Sequence, residues 1–141
     1  SHNTASGDGS LYYNTTGVQN TASGYNSLFR NTTGNYNTAV GRQALYNNTT
    51  GTTNVAIGDF CLHAVTTGSN NIAIGSSALY GNTIGNNNIA QGYRALYANT
   101  TGNSNIAQGY KALTCNTTGS LALSVPCNLN DSFGMNALVS V

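Results

Sequence analysis

Apolar positions return along this chain at one fixed interval. Leu11, Leu28, Leu45, Leu62, Leu79, Leu96 and Leu113 lie 17 residues apart, and so do Ala5, Ala22, Ala39, Ala56, Ala73, Ala90 and Ala107. Polar positions keep the same interval: Asn3, Asn20, Asn37, Asn54, Asn71, Asn88 and Asn105 open seven units with no residue gained or lost between them. Counting places from that Asn, place 5 is always Gly, place 9 Leu, place 13 Thr and place 15 Gly, and place 8 is always small (Ser, Ala or Cys). A strict internal period marks a stack of like units, each of which buries its apolar side only against its neighbours.

Seventeen residues are too few for two helices and two turns, and suit two short strands joined by tight turns. Asn-X-Ala-X-Gly alternates as a strand does, with Ala on one face. Gly at places 5 and 15 is expected to supply corners with positive φ, and Asn-Thr-Thr-Gly at places 12–15 reads as a turn. The pattern therefore predicts an all-β chain: a parallel β-solenoid, or β-roll, of seven 17-residue coils over residues 1–121. Stacked at about 4.8 Å, seven coils make a rod roughly 34 Å long. Leu at place 9 becomes an internal ladder, and Asn at place 1 a ladder of amides. The rival for Gly-X-X-Ala-Leu-Tyr-X-Asn is one short helical turn per coil, because Ala and Leu favour helix.

Residues 122–141 break the period. Asn130, Gly134, Ala137 and Leu138 match a worn eighth copy that starts 25 residues after Asn105, with an insertion around Pro126. This segment is expected to cap the stack or to contact another subunit.

The outward face of the strand carries a second message. Places 2 and 4 point away from the inward Ala. They hold Thr or Ser in the first coils, but Val55, Ile57, Ile72, Ile74, Ile89 and Ile106 further along. A solvated strand face would not select these side chains, each worth about 1.5–3 kcal/mol when buried. The face is read as a candidate subunit interface; a wider coil that encloses it is the alternative.

Composition narrows the function. Only 5% of the residues are charged, with net charge +1, so polarity comes from Asn, Thr, Ser and Gly. Arg30, Arg42, Arg94 and Lys111 are scattered, whereas nucleic acid requires a clustered basic footprint. No apolar run approaches the ~20 residues of a membrane span. No secretory leader is visible, which fits a processed chain or one that never had a leader. Nine tyrosines and the Leu ladder argue against disorder.

No catalytic or metal-binding constellation is expected, and no cofactor. Asp8, Asp59 and Asp131 occupy different places in the repeat and form no pair. His63 replaces Tyr at place 10 and reads as one ring of an aromatic ladder. Cys61 sits at the small place 8 and reads as a buried free thiol. Cys115 and Cys127 flank the insertion, and a disulfide closing that loop is the candidate pairing. Asn-X-Thr recurs at Asn14, Asn31, Asn47, Asn48, Asn99 and Asn116; these formal glycosylation sequons read as a by-product of the corner.

The runs Asn54-Val-Ala-Ile-Gly-Asp-Phe-Cys-Leu62 and Asn71-Ile-Ala-Ile-Gly-Ser-Ser-Ala-Leu79 resemble the head repeat of trimeric autotransporter adhesins, the YadA-like heads, and similar repeats occur in phage tail fibres. That resemblance implies a left-handed roll, three chains side by side, and an extracellular adhesive role at a cell surface or on a virion fibre. The family's usual unit is shorter than the one here.

Three functions suit this pattern. The first is a non-enzymatic fibre or adhesin-shaft subunit whose partner is itself, as a homotrimer or a head-to-tail filament. The second is a receptor- or glycan-binding head, with Tyr12, Tyr46, Tyr80 and Tyr97 touching a host protein or glycan; plain structural stacking is the simpler reading of these rings. The third is an ice-binding solenoid, on the recurring Thr pairs at places 13 and 14.

Overall fold

The computed structural model describes residues 2–120. It contains seven three-residue strands: β1 (Thr4–Ser6), β2 (Thr21–Ser23), β3 (Thr38–Val40), β4 (Val55–Ile57), β5 (Ile72–Ile74), β6 (Ile89–Gln91) and β7 (Ile106–Gln108). They form one parallel sheet in chain order. Each strand pairs with the next at a shift of one whole unit, as in Ala56↔Ala73 and Ile57↔Ile74. The chain is thus an all-β parallel solenoid of stacked 17-residue coils, numbered 1–7 below from Asn3, Asn20, Asn37, Asn54, Asn71, Asn88 and Asn105. The insertion and the eighth repeat lie outside the described residues.

The interior consists of columns. Ala22 to Ala107 at place 3 and Leu28 to Leu96 at place 9 are fully buried, with Ala44, Cys61, Ala78, Ala95 and Ala112 filling the small place 8 between them. Leu11 and Leu113 pack against the ends of this core. Place 8 must be small because the strand and the opposite wall approach there; Cys61 bonds through its thiol to the Ala73 carbonyl at 3.1 Å.

The wall opposite the sheet is neither a second strand nor a helix. Each coil has one strand only, and the Gly-X-X-Ala-Leu segment forms two turns in tandem. In coil 2 these close through Ser27 N–H to the Gly24 carbonyl at 3.3 Å and Asn31 N–H to the Leu28 carbonyl at 3.2 Å. Helix is prevented by alternating backbone hand. Asn26 and Leu28 both take left-handed φ, 53° and 49°, and the same holds at places 7 and 9 of every later coil. Their N–H groups consequently point along the rod: Asn26 donates back to the Asp8 carbonyl at 2.9 Å, and Leu28 forward to the Ala44 carbonyl at 2.9 Å. A left-handed Leu costs about 1–2 kcal/mol, which burial of its side chain offsets.

The two glycines of the unit serve different needs. Gly41, at place 5, has φ +130°, and a Cβ there would meet the Gly58 carbonyl carbon at 2.6 Å. The expected positive φ at place 15 is absent: Gly17 through Gly119 lie outside the left-handed region. Glycine is required there for space, because the amides of Asn14 and Asn31 and the Gly34 carbonyl crowd the site a Cβ of Gly17 would fill. The third left-handed corner falls at place 17 instead, on Gln19, Tyr36, Thr53, Asn70, Asn87 and Ser104.

Two columns of buried asparagine hold the coils together. At place 1, Asn37 donates its amide to the Gly51 carbonyl at 2.8 Å, closing its own coil, while its Oδ1 accepts the Asn54 N–H of the next coil at 3.0 Å. Amide-to-amide bonds join this column from Asn54 onward, at 3.1 Å from Asn71 to Asn54 and 3.0 Å from Asn105 to Asn88. At place 12, Asn48 donates to Asn31 Oδ1 at 2.8 Å and to the Gly51 carbonyl at 3.0 Å.

Val65 interrupts this second column. It is fully buried where every other described coil has Asn, and Asn48 Oδ1 consequently has no hydrogen-bond partner. Val65→Asn should let the new amide donate to Asn48 and accept from Asn82. An orphaned buried acceptor costs about 1–3 kcal/mol, so the variant is expected to be more stable by about 1 kcal/mol or more, read as a higher urea midpoint.

Candidate functional site

The sheet presents its outward face to solvent. Ala at place 3 is buried in β2–β7, while its neighbours on either side point out. Ile57, Ile72, Ile74, Ile89 and Ile106 are 38–42% exposed, and Val55 is half-buried between Thr38 and Ile72. Val40, equally exposed, extends the patch to β3. All six candidate interface residues therefore lie on one surface, in two columns along β3–β7, and the coil does not enclose them. Towards the far end the second column turns polar, where Gln108 bonds to Gln91 at 3.4 Å.

The place-10 rings form a continuous stack on another side. Tyr12, Phe29, Tyr46, His63, Tyr80 and Tyr97 follow one another with centroids 5.1–5.5 Å apart and planes within 17°. The four candidate ligand-contact tyrosines thus share one stack, but neighbouring rings cover their faces: Phe29 and His63 those of Tyr46, and His63 and Tyr97 those of Tyr80. Their edges remain for contact; only Tyr12, 68% exposed at the end of the stack, is largely free. Offset ring pairs of this kind each contribute about 0.5–1.5 kcal/mol beyond their buried area. Phe29 completes the stack, and its place in the repeat was the available signal.

His63 belongs to this stack, 5.2 Å from Tyr46 and 5.1 Å from Tyr80, with Phe60 tilted against it at 5.9 Å. Burial lowers its pKa below the ordinary value. The unfolded chain then takes up a proton before the folded chain does. The stability due to neutral His63 is complete above about pH 6.5 and is lost as pH falls below it. Wild type should lose stability between pH 7 and 5, and His63→Tyr should flatten that slope in pH-dependent thermal melts.

The cations are spent on rings. Arg42 lies 4.6 Å over Phe60, Arg94 lies 5.1 Å over Tyr97, Arg30 sits over Tyr46 and Lys111 over Tyr110. Arg42 also pairs with Asp59 at 3.6 Å, an exposed ion pair of small consequence. Among the described residues no group of three His, Cys, Asp or Glu side chains could hold a metal, and no helix is long and apolar enough to cross a membrane. Cys61 is buried, and burial pushes its thiol up to about 12, so it is no nucleophile. Cys115 is exposed; its candidate partner Cys127 lies outside the described residues.

The Asn-Thr-Thr-Gly corner is used internally. Asn31, Asn48 and Asn99 are fully buried, so these sequons offer no acceptor nitrogen in the folded chain. Thr at place 13 also turns its hydroxyl to the stack, as in Thr32 Oγ1 to the Thr49 carbonyl at 3.0 Å. The place-14 column, Thr16, Thr33, Thr50, Thr67, Thr101 and Thr118, is exposed along the whole rod, and Ile84 interrupts it. The paired hydroxyl array expected of an ice-binding surface is therefore reduced to one broken column.

No family model matches the chain, and no curated protein or solved structure matches it either. The fold defines the class: a parallel β-solenoid repeat protein.

Proposed function

We propose that the chain is a structural, non-enzymatic subunit of an extracellular fibre or adhesin shaft that associates with copies of itself, as a trimer or a head-to-tail filament. The observation that carries this reading is the pair of exposed Val and Ile columns along β3–β7. Aligned exposed Val and Ile side chains of this kind suit contact with another copy. The resemblance of the Val-Ala-Ile-Gly phrase to trimeric adhesin heads supports the same reading and the extracellular setting.

The face has limited area. Three residues by five strands is about 10 Å by 24 Å, well below the ~800 Å² per partner of a standard interface. Lateral contact alone is weak, and a stable assembly draws on the solenoid ends as well. Sedimentation of wild type and of the Ile57→Lys/Ile72→Lys double variant tests the lateral contact. Wild type should sediment as an oligomer, and the variant should shift to smaller species with unchanged circular dichroism. A wild type that stays monomeric at high concentration contradicts the proposal.

A receptor- or glycan-binding head is the second reading. Tyr12, Tyr25, Tyr36 and Tyr110, each more than half exposed, favour it. A glycan array without hits counts against it.

A further inference from the structure

Charge is confined to one side of the rod. Every Asp, Arg and Lys among the described residues stands on the wall of tandem turns: Asp8, Arg42 and Asp59 at place 6, Arg94 and Lys111 at place 7, and Arg30 at place 11. The sheet face and the Asn-Thr-Thr-Gly corner carry none. The same wall holds most of the rings. Beside the place-10 stack runs a shorter pair at place 6, where Tyr93 and Tyr110 stack with centroids 5.4 Å apart and planes within 17°.

Coils 6 and 7 differ from the rest of this wall. Their place 7 holds Arg94 and Lys111, both at φ 53°. A left-handed backbone favours Gly or Asn, and coils 1 and 2 have Gly9 and Asn26 there. The Arg94 guanidinium lies between the two ring columns, 5.3 Å from the Tyr93 centroid and 5.1 Å from that of Tyr97. The Lys111 ammonium lies 5.3 Å from the Tyr110 centroid. These rings hold the cations by electrostatic attraction and leave their N–H donors unspent. Among the described residues neither side chain has an acidic or hydrogen-bonding partner. Arg42 differs, since it pairs with Asp59 at 3.6 Å. Coils 5–7 contain no carboxylate side chain at all.

We infer that this part of the wall binds a carboxylated polysaccharide, a chain of uronic-acid sugars. The inference rests on the second reading above, a glycan-binding head, and narrows it to one site and one ligand class. Arg94 and Lys111 offer their free donors to carboxylates, and the guanidinium fork fits a planar carboxylate through two parallel bonds. Tyr93 and Tyr110, 40% and 57% exposed, flank them with apolar ring surface for the body of the sugar. Spacing selects the sugar chain. Coils advance about 4.8 Å, close to the step of one sugar ring in an extended polysaccharide, so neighbouring sugars face neighbouring coils. An extended acidic peptide repeats its side chains on one face at roughly 6.6 Å and falls out of step. Two cations are also fewer than the phosphate contacts on which nucleic-acid binding draws.

Retention on immobilised polygalacturonate and titration calorimetry of the full chain test the site. Wild type should bind, more weakly as salt rises, because the attraction is between exposed charges. Arg94→Gln/Lys111→Gln should weaken binding about tenfold or more. Gln43 already occupies place 7 in coil 3, so the fold should hold. Arg94→Gln alone, at an exposed position, is the second variant should the double one misfold, and it should weaken binding in the same direction. Arg42→Gln, whose cation Asp59 already matches, should bind like wild type. A wild type that is not retained at low salt overturns the proposal, as does a Gln double variant that binds like wild type. Poly-glutamate should bind more weakly than polygalacturonate, and equal binding overturns the assignment to a sugar chain. Retention on neutral dextran that persists in the double variant overturns this site while leaving a glycan-binding head standing. Self-association is independent: the double variant should sediment as wild type does, and a smaller species would make this wall a subunit contact instead.

Discussion

Gly41→Ala is expected to cost about 4 kcal/mol or more and in practice to prevent folding. Two effects combine. The backbone at Gly41 has φ +130°, which L side chains rarely adopt, and the new Cβ would lie 2.6 Å from the Gly58 carbonyl carbon of the next coil. Backbone must move to relieve that contact, and Gly41 N–H also donates to the Ser23 carbonyl at 2.8 Å, so the junction on its other side is strained too. Gly81→Ala is the control. It lies at place 11, has no positive φ, and its Cβ would meet nothing closer than the Tyr97 carbonyl oxygen at 3.0 Å. Coils 4 and 6 already hold Ala64 and Ala98 at that place. Its effect should stay within about 1 kcal/mol. Paired chemical-denaturation curves decide the matter: equal losses for the two variants would mean that crowding between coils is not what fixes Gly at place 5.

Leu62→Ala should cost about 2–5 kcal/mol, the range for a large-to-small change in a core that cannot collapse. Leu62 is fully buried, with φ 49°, and Leu45 and Leu79 occupy the same place in the coils on either side. Backbone bonds fix the coil spacing, since Leu62 N–H donates to the Ala78 carbonyl at 3.0 Å. The cavity therefore cannot close by sliding one coil towards another. Ala keeps the strained left-handed backbone and loses the burial that offsets it. Leu11→Ala, at the half-exposed end of the same column, should cost less than half as much. A flat profile along the column in urea melts would show that the leucines do not act as one core.

The period, the inward Ala and Leu columns and the outward Ile columns are all legible in the order of residues, because each depends only on stacking like on like. The single strand per coil and the tandem turns are not. Ala-Leu after Gly scores well as helix by propensity, yet in this stack Leu takes a left-handed backbone so that its N–H can reach the next coil. That choice is made by the neighbouring coil and is invisible within one unit. Place-15 Gly is legible as necessary, but its reason is not: the constraint comes from the place-12 side chain of its own coil and the place-15 carbonyl of the next. The place-12 amides read as turn and sequon residues because nothing local says that Asn31 or Asn48 is buried. The face of Ile57, Ile72 and Ile74 is legible as outward, while its narrowness follows only from strands that are three residues long.

The Asn48–Val65 fault has a mechanical counterpart. Everywhere else the described coils are linked by the place-12 amide column, but pulling on the two ends of the rod would load coil 4 where that tie is missing on both sides. A stack with that gap has a preset fuse in its middle, and tension is expected to open it at coil 4 before the coils at either end.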